Sequence, residues 1–174
     1  MATSQTLKSY SPEDMTIILS NSQFSHVITG YADGSFLTIT RETPASTLYV
    51  GADLSNARVV RANKASTITL SLHQASDSTD VLSQLLANDE ETRDETWLFS
   101  VTIKDNIGRS VYYSPQAFIG NHPDAMYSTG IENRDWVIQC VSLSNLQGGN
   151  GKFDPDTLST LEAIGGTVAD KWRP

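Results

Sequence analysis

A mostly antiparallel β domain, with one helix packed on it and a helical appendage at the end, is the fold class this sequence predicts. Three observations carry it. Ile68, Leu70 and Leu72 alternate with Thr67, Thr69 and Ser71, the period-two pattern of a half-buried strand. Val81, Leu82, Leu85 and Leu86 recur instead at helical spacing. Gly148-Gly149-Asn150-Gly151 then loosens the chain ahead of Asp154-Pro155, a capping carboxylate followed by a proline pre-set for the first helical turn.

Met1 to about Asp14 shows no periodicity and is expected to be a mobile arm. Met15 to Leu19 is a short apolar run before the turn-prone Ser20-Asn21-Ser22, hence a first strand. Asp33-Gly34 precedes a strand from Ser35 to Arg41, in which Leu37 and Ile39 share one face and Thr38 and Thr40 the other. Thr47 to Val50 is a strand candidate stopped by Gly51-Ala52-Asp53. Thr43–Asn63 as a whole lacks continuous alternation and exceeds the usual hairpin loop of about 2–5 residues. It is expected to be disordered in a lone subunit and ordered between subunits. Beyond the strand at Thr67–Leu72, Asp77 or Ser78 can cap the helix, and the acidic run Asn88-Asp89-Glu90-Glu91 lies past its apolar stripe.

Sheet patterning resumes with Trp97, Phe99, Val101 and Ile103 on one face, a turn at Asp105–Gly108 and a return strand at Arg109–Tyr113. Glu132–Ser142 is a long strand in which Trp136, Ile138 and Cys140 oppose Val137, Gln139 and Val141. Two apolar faces imply burial on both sides, or burial plus a subunit contact. In the last segment Leu158, Leu161 and Ile164 line one side of a helix that Gly165-Gly166 ends. The organisation predicted is an arm at 1–14, a β domain at 15–146 and a C-terminal extension at 147–174.

Composition excludes several functions. The 174 residues suit one domain. Twelve Lys and Arg against 20 Asp and Glu leave a net charge of −8, the wrong sign for gripping nucleic acid or an anionic membrane. No apolar run approaches the ~18 residues of a membrane-spanning helix. Cys140 is the single cysteine, which fits a soluble protein of a reducing cytoplasm. The start of the chain lacks the charged and apolar regions of a signal peptide.

Catalytic signatures are missing too. His26, His73 and His122 stand apart, and no zincin, paired-cysteine, nucleophile-elbow or phosphate-loop pattern occurs, so no catalytic residue, cofactor or metal ligand is assigned. Gly148–Phe153 begins like a calcium-binding nonapeptide but has Phe153 where a ligand Asp belongs, and Asp154-Pro155-Asp156 lacks the later Gly and Glu of a calcium loop. Cys140 reads as a small buried thiol, and Trp97, Tyr112, Tyr113 and Trp136 as core. The Ser- and Thr-rich strand faces are the informative oddity, because they offer short, uncharged hydroxyls with no long side chain to trap a ligand.

Several stretches, in this order and spacing, carry a family resemblance. They include Tyr10–Asp14, Ile28–Phe36, Val50–Asp53, Ala65–Leu70, Ser78–Leu86, Ile103–Asp105 with Gly108-Arg109, and Arg134–Cys140. From about Tyr10 to Val141 the sequence resembles the tail tube proteins of long-tailed bacteriophages, particularly contractile ones. The resemblance implies a mainly β fold of two antiparallel sheets packed as a sandwich or barrel with a flanking α-helix, to which the residues add the C-terminal helical appendage. It implies hexameric rings of self-associating subunits stacked into a tube, with the tail sheath, tape measure and baseplate or terminator proteins as partners. DNA would pass through without specific binding. Such a subunit would be assembled in the host cytoplasm and reside in the virion tail. A type VI secretion-like tube protein shares the fold, and a carbohydrate-binding β-sandwich is the remaining alternative. Thr38, Thr40, Thr67, Thr69 and Ser71 are the candidate lumen-facing residues, since their neighbours Leu37, Ile39, Ile68, Leu70 and Leu72 must face the core.

Overall fold

In the computed structural model, which describes residues 7–174, the chain is mainly β, with two antiparallel sheets and two α-helices. The strands are β1 (Met15–Ser20), β2 (Ser25–Val27), β3 (Leu37–Arg41), β4 (Ser46–Val50), β5 (Asn56–Val60), β6 (Ser66–His73), β7 (Phe99–Asp105), β8 (Val111–Asn121), β9 (Asn133–Cys140) and β10 (Ser144–Leu146). Helix α1 is Asp77–Thr92 and α2 is Pro155–Ala163. The larger sheet runs β2-β1-β7-β8-β9-β6-β3, with β10 added on β8, and the smaller is the β4–β5 hairpin.

The larger sheet curls until its ends face each other, because every strand presents one apolar phase to a common interior. Ile17 and Leu19 of β1, Val101 and Ile103 of β7, Ile68 and Leu70 of β6 and Trp136 and Ile138 of β9 all enter one buried cluster. The segment between β2 and β3 closes the remaining gap. Ile28 N–H donates to the Ile17 carbonyl on one edge, while Ala32 N–H donates to Ser71 and His73 N–H to Gly30 on the other. Otherwise unpaired edge groups are thereby satisfied within the chain.

Helix α1 plugs this interior with Leu82, Leu85 and Leu86, each worth roughly 1.5–3 kcal/mol of burial. Its first turn is Ser76-capped by position but without a side-chain cap bond, which differs from the expected cap at Asp77 or Ser78. Ser78 is fully buried, and its hydroxyl instead accepts from Thr29 N–H and lies 2.9 Å from His26 Nε2. The contact needs Gly30, whose φ is +77° and whose missing Cβ would fall 2.5 Å from that of Ser76. The acidic run Asn88–Glu91 follows the apolar stripe and forms the last turns of the helix.

Other differences from the sequence reading have local causes. Thr43–Asn63 is a hairpin and not an irregular loop, because Asn56–Val60 pairs in register with Ser46–Val50 across a five-residue bend. Trp97 precedes β7 and packs on the core from the preceding loop. The return strand β8 runs on to Asn121, and the short β2 and β10 have too few residues to show a period. Val137 is half-buried and Val141 is exposed, so one face of β9 alone is buried within the chain. Of the expected arm, residues 1–6 lie outside the described residues, while Pro12–Asp14 forms one 3₁₀ turn.

The last segment is anchored through Arg109. Its guanidinium carbon lies 3.8 Å above the Phe153 ring and 5.6 Å from that of Trp172, and Nη1 donates to the Gly151 carbonyl. Asp154 accepts from Asp156 N–H, the cap expected for α2, and Gly165 ends the helix at a φ of +85°.

Candidate functional site

Alternation carries all five candidate hydroxyl residues to the outside of the larger sheet, on one continuous face. In register, Thr38 lies opposite Thr69 and Thr40 opposite Thr67. On the other side of β6, Thr67 meets Gln139, Thr69 meets Val137 and Ser71 meets Asp135. Thr38 and Thr40 are exposed, while Thr67, Thr69 and Ser71 in the second strand are half-buried by their neighbours. Cross-strand threonine pairs suit a pleated surface and hold their short side chains close to it.

Two carboxylates join this face. Ser71 Oγ donates to Asp135 Oδ1 at 2.5 Å, and the Thr67 hydroxyl donates to Glu42 while lying 3.1 Å from Gln139 Oε1. The outward positions of β3, β6 and β9 hold no Lys or Arg. Both arginines of these strands take the opposite phase. Arg41 donates to the Asn63 carbonyl, and Arg134, which is buried, stacks on Tyr127 and donates to the Met126 carbonyl. The result is a smooth, hydroxylated face whose only fixed charge among the described residues is negative.

Sequence reasoning named the hydroxyls but missed Glu42, Asp135 and Gln139. The signal was present, since Glu42 continues the Thr38–Thr40 phase and Asp135 shares the phase of Val137 and Gln139. What was lacking was the strand order that sets β9 beside β6.

The hairpin is a second distinctive surface. All of β5 and all of β4 except Thr47 are exposed. Leu48, Val50 and Val60 share one of its faces with Arg58, and Leu54 at its bend is 78% exposed with a φ of 64°. A left-handed leucine costs about 1 kcal/mol or more, and glycine or asparagine would remove that strain.

Cys140 is buried inside the curled sheet, where burial pushes its thiol up despite a hydrogen bond from Ser114. No group of three metal-ligating side chains exists among the described residues.

Comparison with known proteins assigns the class. The model of the Bacteriophage PhiTE tail tube protein family matches residues 8–148. Structural protein ORF10 of Pseudomonas phage KPP10 is 38% identical over 165 residues, covering 94% of this chain and 95% of the relative. Among solved structures, the anti-feeding prophage cap that terminates the AFP tube aligns with 84% of this chain and 97% of its own at 13% identity, with a TM-score of 0.49. The chain is therefore a bacteriophage structural protein of the virion tail, and not an enzyme. It belongs to the PhiTE tail tube protein family.

Proposed function

We propose that six copies of this protein close into a ring, that rings stack into the tail tube, and that the hydroxyl face of β3, β6 and β9 lines a lumen through which DNA is ejected. The observation that supports this most directly is the exclusion of Lys and Arg from that face, together with the presence of Glu42 and Asp135 on it. Each basic side chain in such a wall would engage a phosphate and release counterions, and six-fold repetition in every ring would multiply the drag. Short hydroxyls beside fixed carboxylates give a wall that DNA slides past.

In this reading the chain divides into an arm at 1–14, a tube domain at 15–146 and an extension at 147–174. The arm and the hairpin at Thr43–Asn63 are the inter-subunit elements. Assembly takes place in the host cytoplasm, and the finished tube meets the sheath, tape measure and baseplate or terminator proteins. Electron microscopy of the purified protein at high concentration tests the assembly, with rings or tubes as the expected result. A protein that stays strictly monomeric and is missing from purified virions would refute it. Replacing Thr67 and Thr69 by Lys is expected to leave tubes intact and slow DNA ejection, whereas failed assembly would make that face an interface instead of the wall.

A further inference from the structure

The charge of this chain is distributed in two opposed blocks. From Leu54 to Ser76 there are three basic residues, Arg58, Arg61 and Lys64, and no Asp or Glu. From Asp77 to Glu95, immediately following, there are seven carboxylates against Arg93 alone. The basic block begins on the second strand of the hairpin, past Asp53 at its bend, and the acidic block is helix α1 and the loop after it. Three carboxylates, Asp89, Glu90 and Glu91, sit in the last turn of α1 with no basic residue there. They face the negative end of the helix dipole, an arrangement that works against the helix itself.

Each block is joined to an uncovered apolar surface. On the hairpin, Leu48, Val50 and Val60 surround Arg58 on one face, at 73%, 52% and 65% exposure for the three apolar side chains. A two-stranded hairpin without packing on either face is marginal in water, and this one spends its apolar residues on solvent. Beside α1, a groove of 520 Å³ opens between the helix and β2. Phe24, Val81, Leu85 and Trp97 form its apolar floor, and Asp80, Gln84 and Asn88 follow one another along its rim on successive helical turns.

We infer that the hairpin of one copy seats in the α1–β2 groove of the next, with Leu48, Val50 and Val60 on the apolar floor and Arg58 paired with Asp80. The occupant is a second copy of this chain because the two surfaces complement each other in both charge and polarity. Arg58 stands among apolar neighbours on the hairpin, as Asp80 stands at the edge of an apolar floor. The two surfaces lie at different places on the molecule, so the contact is heterologous, and every bound copy offers a fresh hairpin and a fresh groove. Such a contact propagates into rings or a filament. The inference rests on the tube reading and supplies the contact that reading leaves unspecified.

The test uses two sets of variants of the full chain, in a Cys140→Ala background for the thiol work. In the first, Leu48→Cys and Gln84→Cys proteins are mixed, assembled and oxidised. Disulfide-linked dimers are expected only from the mixture. In the second, Arg58→Glu and Asp80→Arg are made singly and together, with near-ultraviolet circular dichroism confirming the fold of each. Each single reversal places like charges in the contact and is expected to lower tube yield at least about tenfold, and the double variant to restore it. Tubes assembled from the Leu48→Cys and Gln84→Cys mixture that give no cross-link, single reversals that assemble like wild type, or a double variant no better than the singles would each overturn the inference while leaving the tube standing. Neither tubes nor cross-links from any protein would overturn both.

Discussion

The curled sheet and the β4–β5 hairpin are built from the same kinds of residue and use them in opposite ways. In the sheet, Leu19, Leu70, Val101 and Ile138 are wholly buried, and the chain between β2 and β3 ties off both edges. In the hairpin, Leu48, Val50, Val60 and Leu54 are all more than half exposed. Apolar alternation in the first region completes a core inside one subunit. Apolar residues in the second are left uncovered by the described residues, and in the proposed assembly they meet another copy. The proposed assembly therefore puts monomer stability and competence to assemble in different segments, and substitutions should separate them.

The largest contrast is between Trp136 and Leu48. Trp136→Ala removes a side chain that is 1% exposed at the centre of β9 and is expected to destabilise the monomer by about 3–5 kcal/mol in denaturant titration. Leu48→Ala, at an exposed site, should change monomer stability by less than about 0.5 kcal/mol and still reduce tube yield. Equal monomer destabilisation by the two would erase the distinction.

Gly30→Ala comes next. It introduces a side chain at a positive φ and against Ser76, so roughly 2 kcal/mol or more should be lost, with α1 loosened first. Hydrogen exchange in α1 that matches wild type would show that the 28–31 segment does not hold the helix.

At the hairpin bend, Leu54→Gly should act in the reverse sense. Relief of the left-handed leucine adds about 1 kcal/mol to the hairpin's local stability, while loss of the exposed side chain weakens assembly. Tubes forming more readily than wild type would mean that Leu54 serves no contact.

The smallest effect concerns alkaline pH. Burial disfavours the charged forms of the Cys140 thiol and the Tyr31 phenol, so the folded state holds both pKa values above their ordinary 9.0 and 10.0. Groups raised in this way contribute fully below the unfolded value and lose their contribution as pH rises through the folded one. Monomer stability should decline from about pH 9 upward, and Cys140→Ala should move the onset towards pH 10. A profile that stays flat through this window in wild type would contradict the burial of both groups.

These contrasts also explain what could be read in the sequence. Strands with strict alternation, such as Thr67–Leu72, and the helix of Val81–Leu86 were legible because a buried face imposes a period. The hairpin strand Asn56–Val60 was not, since no residue in it is buried and no period marks it. Ser25–Val27 and Ser144–Leu146 are three-residue strands, too short to carry a pattern and held by their neighbours' hydrogen bonds. The hydroxyl residues of the candidate wall could be named from phase alone. Their acidic companions Glu42 and Asp135 needed the pairing of β6 with both β3 and β9, a long-range fact that local spacing does not contain.

The central claim is that the face carrying Thr38, Thr40, Thr67, Thr69 and Ser71 is the wall of a DNA channel. A reconstruction of the assembled tube, with side chains resolved and charge mapped on its inner surface, tests it most directly. The account predicts a net negative lumen in which these five residues, with Glu42 and Asp135, face the axis. A lumen lined mainly by Lys and Arg, or these residues buried between subunits, would contradict it.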